Sequence, residues 1–438
     1  MTFKENTLVE LCEIVSSKRV FAASYQSEGV PFFRGKEVSQ LARGENTTAE
    51  LYISNEVYND VISRTGPINS GDILLTAVGT LGNPYQVKET DLPFYFKDGN
   101  IVWLRKFSKE INSTYLFYWL NSEYGRRKVL DTAIGSTQAA LTITGLAAIS
   151  ISCPSLAQQT GIVGILSAID QKITINNALS KTLEDIAQTI FKSWFIDFDP
   201  VKAKMAGEKP VGMDAATAAL FPDTVEESEL GLNPKGWRIG SLGDVTDLQG
   251  GYAFNSSSWT KSGVPVIKIG SIKPGYVDLT QVSYVDAALA EEIPDDYRIP
   301  AGSLVVGLTG YVGQVGLVRT HEPVPLVNQR VAKFKPKFGD WKIPFIYCFV
   351  RGVKFKRIVE ELATGTAQQN VSNAQILSIP IIIPDKEILT MFENSLQPLF
   401  KQIINLADEN ESLKSIRDVL LPRLISGELQ IPEEMLAS

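Results

Sequence analysis

Histidine is all but missing from this chain: His321 is the single one in 438 residues. Any mechanism that needs two imidazoles is therefore excluded. Cysteine is almost as scarce. Cys12, Cys153 and Cys348 lie far apart and form no Cys-x-x-Cys, which excludes a disulfide scaffold and a cysteine-based zinc site and fits a reducing cytosol. No apolar run approaches the ~18 residues of a membrane span, and the opening Met-Thr-Phe-Lys-Glu-Asn has no signal-peptide character. A cytoplasmic protein without membrane contact is expected. The common catalytic signatures are missing too: GxxxxGK[ST], GxSxG and HExxH do not occur. Gly307, Gly310, Gly313 and Gly316 have the wrong spacing for a dinucleotide fingerprint. Asn83-Pro84-Tyr85 lacks one proline of the amino-methyltransferase stretch it imitates, and Asp295, Asp340 and Lys342 are too dispersed for a metal-dependent nuclease. Each catalytic route lacks a part. The net charge of −7 also argues, as an average, against nucleic-acid binding.

What the chain does have is itself, twice. A shift of 230 residues places Gly135-Ser-Thr-Gln138 on Gly365-Thr-Ala-Gln368, Leu141-Thr142 on Val371-Ser372, and Ile149, Ile151 and Pro154 on Ile379, Ile381 and Pro384. Leu166, Ile173, Leu183 and Ile186 fall on Leu396, Ile403, Leu413 and Ile416 at the same shift. Upstream the shift drifts slightly: Gly79 to Gly82 meets Gly310 to Gly313, and Gly29-Val-Pro31 meets Gly263-Val-Pro265, as loop insertions produce. The protein reads as two copies of one unit, each of roughly 200 residues.

Each copy has two parts. The first (1–152 and 236–384) alternates short strands, such as Asp72 to Ala77, Asn100 to Leu104, Pro265 to Ile269 and Ser303 to Gly307, with helical stretches at 113–130 and 344–362. This is a mixed α/β fold. The second part is one long helix per copy, within 153–198 and 385–438. Ile162, Leu166, Ile169, Ile173, Leu183, Ala187, Ile190 and Trp194 step by four and three, as do Phe392, Leu396, Leu399, Ile403, Leu406, Leu413 and Leu420. That is a coiled-coil seam, interrupted by Asn176, Ser180 and Asn410. A helix of ~40 residues spans roughly 60 Å. The two most simply pack on each other, as a stalk between the two globules. Between the copies, 199–235 carries a local charge of −5 over 207–229 and reads as a solvated acidic connector.

The positive charge is concentrated. Residues 331–357 hold Lys333, Lys335, Lys337, Lys342, Arg351, Lys354, Lys356 and Arg357 against Asp340 alone. Arg126-Arg127-Lys128 occupies the place of Lys356-Arg357 in the first copy, and both groups precede the Gly-x-x-Gln element. A helix ending in cations beside a polar loop can hold phosphates and offer the loop to base edges. Gln138, Gln368, Gln369 and Asn370 are candidate base readers, with Gln314, Gln329 and Arg330 near the glycine turn. Two similar domains on a rigid spacer suit a bipartite double-stranded DNA site, since half-sites one turn apart lie ~34 Å centre to centre.

Pro154 to Ile173, Phe191 to Pro200, Leu420 to Leu429, Phe221-Pro-Asp-Thr224 and Pro234-Lys-Gly-Trp237 make the whole chain resemble the specificity subunit of a type I restriction-modification enzyme. The resemblance implies two target recognition domains, each reading one part of a split site. It implies an antiparallel helix pair that sets the spacer and docks two modification subunits, to which the seam residues Ile162, Ile169, Ile173, Leu183, Trp194, Leu399, Ile403, Leu413 and Leu420 are assigned. It implies no catalytic site here: S-adenosylmethionine belongs to the modification subunits, and ATP and Mg to separate restriction subunits. The rival readings are a stand-alone DNA-modifying or DNA-cleaving enzyme and a scaffold that binds only proteins.

Overall fold

The computed structural model describes residues 4–45, 47–135, 139–280, 282–337, 343–365 and 369–432. They form two compact units: Met1–Lys172 with Leu413–Ser438, and Ile173–Ser412.

In the first unit the main sheet runs in the order Glu13–Val15, Ile101–Arg105, Ile73–Thr76, Pro84–Gln86, all antiparallel. A smaller sheet has the order Tyr25–Gln26, Tyr52–Ile53, Val30–Phe33, Tyr95–Phe96, and its last pair is parallel. Lys4–Thr7 pairs antiparallel with Ser150–Cys153 and closes the domain. Ile73, Leu75, Val102 and Leu104 point into a core shared with Tyr115, Leu116, Trp119 and Val129 of two helices, Ser113–Asn121 and Glu123–Leu130. The helices are separate because Ser122 leaves helical geometry and caps the second, accepting from the Gly125 amide. Gly125 must be glycine: a Cβ there would sit 2.0 Å from the Trp119 carbonyl oxygen.

The second unit repeats this plan. Arg238–Ser241 pairs with Pro380–Ile383, as Lys4–Thr7 does with Ser150–Cys153. The main sheet is longer, in the order Thr246–Gly250, Val331–Pro336, Leu304–Gly307, Val315–Leu317, Gly275–Val277, Ile272–Lys273. The smaller sheet again ends in one parallel pair, Val264–Ile267 with Leu326–Val327. The helical stretch again splits in two, Ile343–Arg351 and Val353–Leu362, here at Gly352.

The long helices run Leu156–Phe195 and Lys386–Ile425. In the first unit Ile162 and Leu166 share a core with Leu421, Leu424 and Ile425. In the second, Asn176 faces Asn410 and Phe191 faces Phe392, so the helices are antiparallel as expected. Gln159 explains how the first long helix seats its domain. Its buried side chain accepts from the Asn112 amide at 2.8 Å and donates to the carbonyls of Glu110 and Pro154 at 2.9 Å. In the second unit Arg319 pairs with Glu411 at 3.1 Å, and Thr320 bonds the Asp408 carboxylate through its amide and hydroxyl. Among the described residues, no helix is long and apolar enough to cross a membrane.

The acidic connector is exposed over most of 207–232 and is also folded. Asp199–Met205 and Ala215–Leu220 are helices, and Val225–Ser228 pairs with Gly231–Pro234. Phe198, Val201 and Phe221 are buried beside Trp194, Phe195 and Trp237. The acidic side chains coat the outside of an element that is held by these few large apolar groups, whose burial outweighs its charge.

Candidate nucleic-acid interface

Three pieces of backbone meet in each unit, and they meet the same way. In the first unit the turn after Ile73–Thr76 lies against the chain around residue 140. The Leu141 amide donates to the Ala77 carbonyl at 2.9 Å, Val78 bridges Ala140, and Ile134 and Ala140 exchange both backbone bonds at 2.9 Å. In the second unit the Val371 amide donates to Leu308, Thr309 bridges Asn370, and Thr364 and Asn370 exchange both bonds. The third piece is the cationic helix. Gly82 (φ +71°) and Gly313 (φ +70°) bring the turn onto it so closely that a Cβ would lie 3.1 Å from Val129 in one and 3.0 Å from Val359 in the other. Only glycine allows both the backbone conformation and the approach.

The cations sit on this platform with unequal partners. Arg126 is exposed and donates to the neutral Oδ1 of Asn83 at 3.0 Å. Arg127 pairs with Glu123 at 2.9 Å, and Lys128 lies over the Tyr124 ring at 5.5 Å. In the second unit Lys356 and Arg357 are exposed but each has a glutamate one turn on, Glu360 at 3.8 Å and Glu361 at 3.7 Å. Lys335 pairs with Asp296 at 3.4 Å and Lys337 with Asp247 at 3.0 Å. Lys333 is half-buried on the same sheet face as Lys335; burial and that neighbour hold its ammonium below the ordinary lysine range. Arg351 is taken up by Glu184. Of the positive stretch, Lys335, Lys337 and Arg351 are thus paired with acids from other segments and Lys356 and Arg357 with acids of their own helix, while Arg126 and Lys354 are exposed with no acid partner among the described residues.

The glutamines divide. Gln138 and Gln368 lie outside the described residues. Gln369 is exposed, and its carbonyl accepts from Gly310 at 2.8 Å, which ties it to the turn. Gln314 is committed inside the domain, donating to the Ile272 carbonyl, so its reach to a base edge is lost. Arg330 is exposed, and its backbone amide donates to Asn328 Oδ1 at 3.2 Å.

The seam residues of the long helices are engaged within the chain. Ile162 is in the first core, and Trp194, Leu399 and Ile403 pack on the second. Leu420 packs on the first core, and Ile169, Ile173, Leu183 and Leu413 are half-buried. The outward apolar face consists of other residues: Ile175, Leu179 and Ile186 on the first helix, and Ile416 and Val419 on the second. Sequence reading also passed over the exposed Tyr124, Leu130, Ile134 and Tyr311. The signal that finds them is the repeat: each has a counterpart of different chemical class.

A duplicated α/β fold that presents one cationic platform per copy defines a two-site recognition protein. The sequence model of the family described as the type I restriction modification DNA specificity domain matches residues 2–185 and 234–414, and the chain belongs to that family. It is 27% identical over 405 residues to the type I restriction enzyme HindI specificity subunit of Haemophilus influenzae, covering 83% of this chain and 87% of that one. It is 26% identical over 420 residues to the MjaIX specificity subunit of Methanocaldococcus jannaschii, covering 93% and 89%. A crystal structure of a type I S subunit from M. genitalium shares the fold with a TM-score of 0.55 at 16% identity, over 97% of this chain and 96% of that one.

Proposed function

We propose that this chain is the non-catalytic DNA-recognition subunit of a type I restriction-modification assembly. Each unit takes one half of a split double-stranded site. Phosphates rest on the cationic helix, whose exposed Arg126 and Lys356 face solvent, and bases are read from the adjoining hairpin and turn. The helix pair fixes the gap between half-sites and holds two modification subunits, with Ile175, Leu179 and Ile186 offering them an apolar stripe at four- and seven-residue spacing. S-adenosylmethionine is bound by those subunits, and ATP and Mg by restriction subunits; this chain carries none of them.

The observation that supports the reading best is the recurrence of the platform, with the same glycines, the same backbone bridges and the same cationic helix in both units. Two copies of one surface suit two half-sites of one ligand. The test is methylation mapping by long-read sequencing in cells with and without the gene. A split adenine-methylated motif that disappears on deletion is expected, and an unchanged methylome in a cell whose system is active rejects the reading. Purified chain alone, given DNA, Mg and S-adenosylmethionine, is expected to show no turnover; turnover would favour the stand-alone enzyme.

A further inference from the structure

The two platforms share a scaffold and differ at its surface. Position by position, the buried or backbone-defining members agree in kind: Gly82 with Gly313, Val129 with Val359, Gly135 with Gly365, Leu141 with Val371. Beside the matched cations, several exposed members do not. Leu130 stands where Glu360 does, Ile134 where Thr364 does, and Tyr124 where Lys354 does. Ile134 is 62% exposed and Leu130 46%. Leu130 ends the cationic helix and Ile134 follows it by four residues, and their replacement by polar groups in the sister copy shows that the scaffold does not need them.

We propose that Ile134 is a specificity-determining residue of the first unit, whose exposed side chain meets the C5 methyl of a thymine in the major groove of the first half-site. This rests on the DNA-recognition reading above. The methyl is the one apolar feature that a base pair presents in that groove, and it separates thymine from cytosine at the same edge. The occupant is DNA because the patch adjoins cations. Arg126 and Arg127 lie one helical turn before Leu130 and are exposed, so a phosphate held there would bring a base edge over the patch. Ile134 also sits on the platform by two backbone bonds to Ala140, which fixes where its side chain points. In the second unit Thr364 holds the same backbone place, with a hydroxyl to offer where the first unit has only hydrocarbon.

The experiment uses the chain assembled with its modification subunits and duplexes carrying the mapped site. Each thymine of the first half-site, on either strand, is replaced in turn by deoxyuridine, which removes only the methyl. One replacement is expected to weaken binding by wild type on the order of fourfold, the effect of one buried methyl, and to leave Ile134→Ala indifferent. Tyr311→Ala, in the second unit, is expected to keep the wild-type response. Uridine neutral at every position, a first half-site without thymine, or an Ile134→Ala complex with the wild-type penalty would each overturn the contact. Loss of modification-subunit binding in Ile134→Ala would overturn it in favour of a protein interface. A wild-type complex with no sequence preference would instead remove the DNA-recognition reading itself, and the contact with it.

Discussion

Asn176 donates its side-chain amide to Oδ1 of Asn410 across 3.0 Å, between the two long helices and inside the second unit. Both residues are buried, at 1% and 5% exposure. Asn410 in turn donates to Asn177 at 2.9 Å, and Asn176 to Glu409 at 2.9 Å. A buried amide pair in an otherwise apolar seam costs stability but favours the one alignment in which both partners meet. Asn176→Leu leaves the Asn410 oxygen without this donor and is expected to destabilise by about 1–3 kcal/mol. The double variant Asn176→Leu/Asn410→Leu is expected to recover most of that loss, because the acceptors it strips of a donor, Asn177 and Glu409, are exposed to water. Denaturant titration of the two variants decides it; equal losses would show that the pair does not act as a unit.

Glu184 anchors the helix Ile343–Arg351 of the second unit to the first long helix. Tyr347 Oη donates to it at 2.7 Å, and Arg351 does so through Nε at 2.8 Å and Nη2 at 2.7 Å. Burial and the carboxylate push the Tyr347 phenol up, so it remains a donor. Glu184→Ala is expected to cost about 1.5–3 kcal/mol, the range for hydrogen bonds to a charged group. The loss should appear as faster amide exchange in 343–362, with the first unit unchanged.

Glu37 gives a pH dependence whose sign is set. Its side chain is 1% exposed. Burial alone would raise its pKa, but the Arg34 guanidinium, at 2.6 Å, and the Arg34 amide overcome this and hold it below the ordinary 4.5. A carboxylate depressed in the folded state contributes stability that is complete above its unfolded value and is lost as pH falls through its folded one. Protection of residues 34–42 is therefore expected to hold above about pH 4.5 and to decline below it. Glu37→Gln is expected to be less protected at pH 7 and to approach wild type in acid. A constant difference across the range would exclude this carboxylate as the cause.

Arg126 and Lys337 should differ as DNA contacts. Arg126 leans on a neutral amide, whereas Lys337 has Asp247 at 3.0 Å. Arg126→Ala is expected to weaken DNA binding of the assembled complex and to lower its salt slope by about 0.9, the value for one phosphate contact. Lys337→Ala is expected to change it far less. Binding isotherms at a series of salt concentrations give both slopes, and equal slopes would mean that the ion pairs open on DNA.

Much of the fold was legible because duplication is a property of the string. The glycines at 82 and 313, the paired Gly-x-x-Gln elements and the four-three stepping of Ile162, Leu166, Ile169 and Ile173 need no coordinates to be seen. In segment 199–235 composition shows the exposed acids but not the burial of Val201 and Phe221, which hold it as a folded element. The interface was legible only in outline. Local spacing located the cations, but Asp296 and Asp247 approach Lys335 and Lys337 from 39 and 90 residues away along the chain.

By itself, then, the sequence determined a doubled α/β unit, a paired long helix with asparagines in its seam, and the cationic helix ends. These follow from periodicity and repetition, which act between near neighbours or between equivalent positions. Tertiary structure alone decided which cations keep their charge toward solvent, that Gln314 is spent on Ile272, and that Ile134 stands in water while its backbone is tied to Ala140. Those outcomes depend on what segments distant in sequence bring to within a few ångströms, where charge pairing and burial have their largest effect.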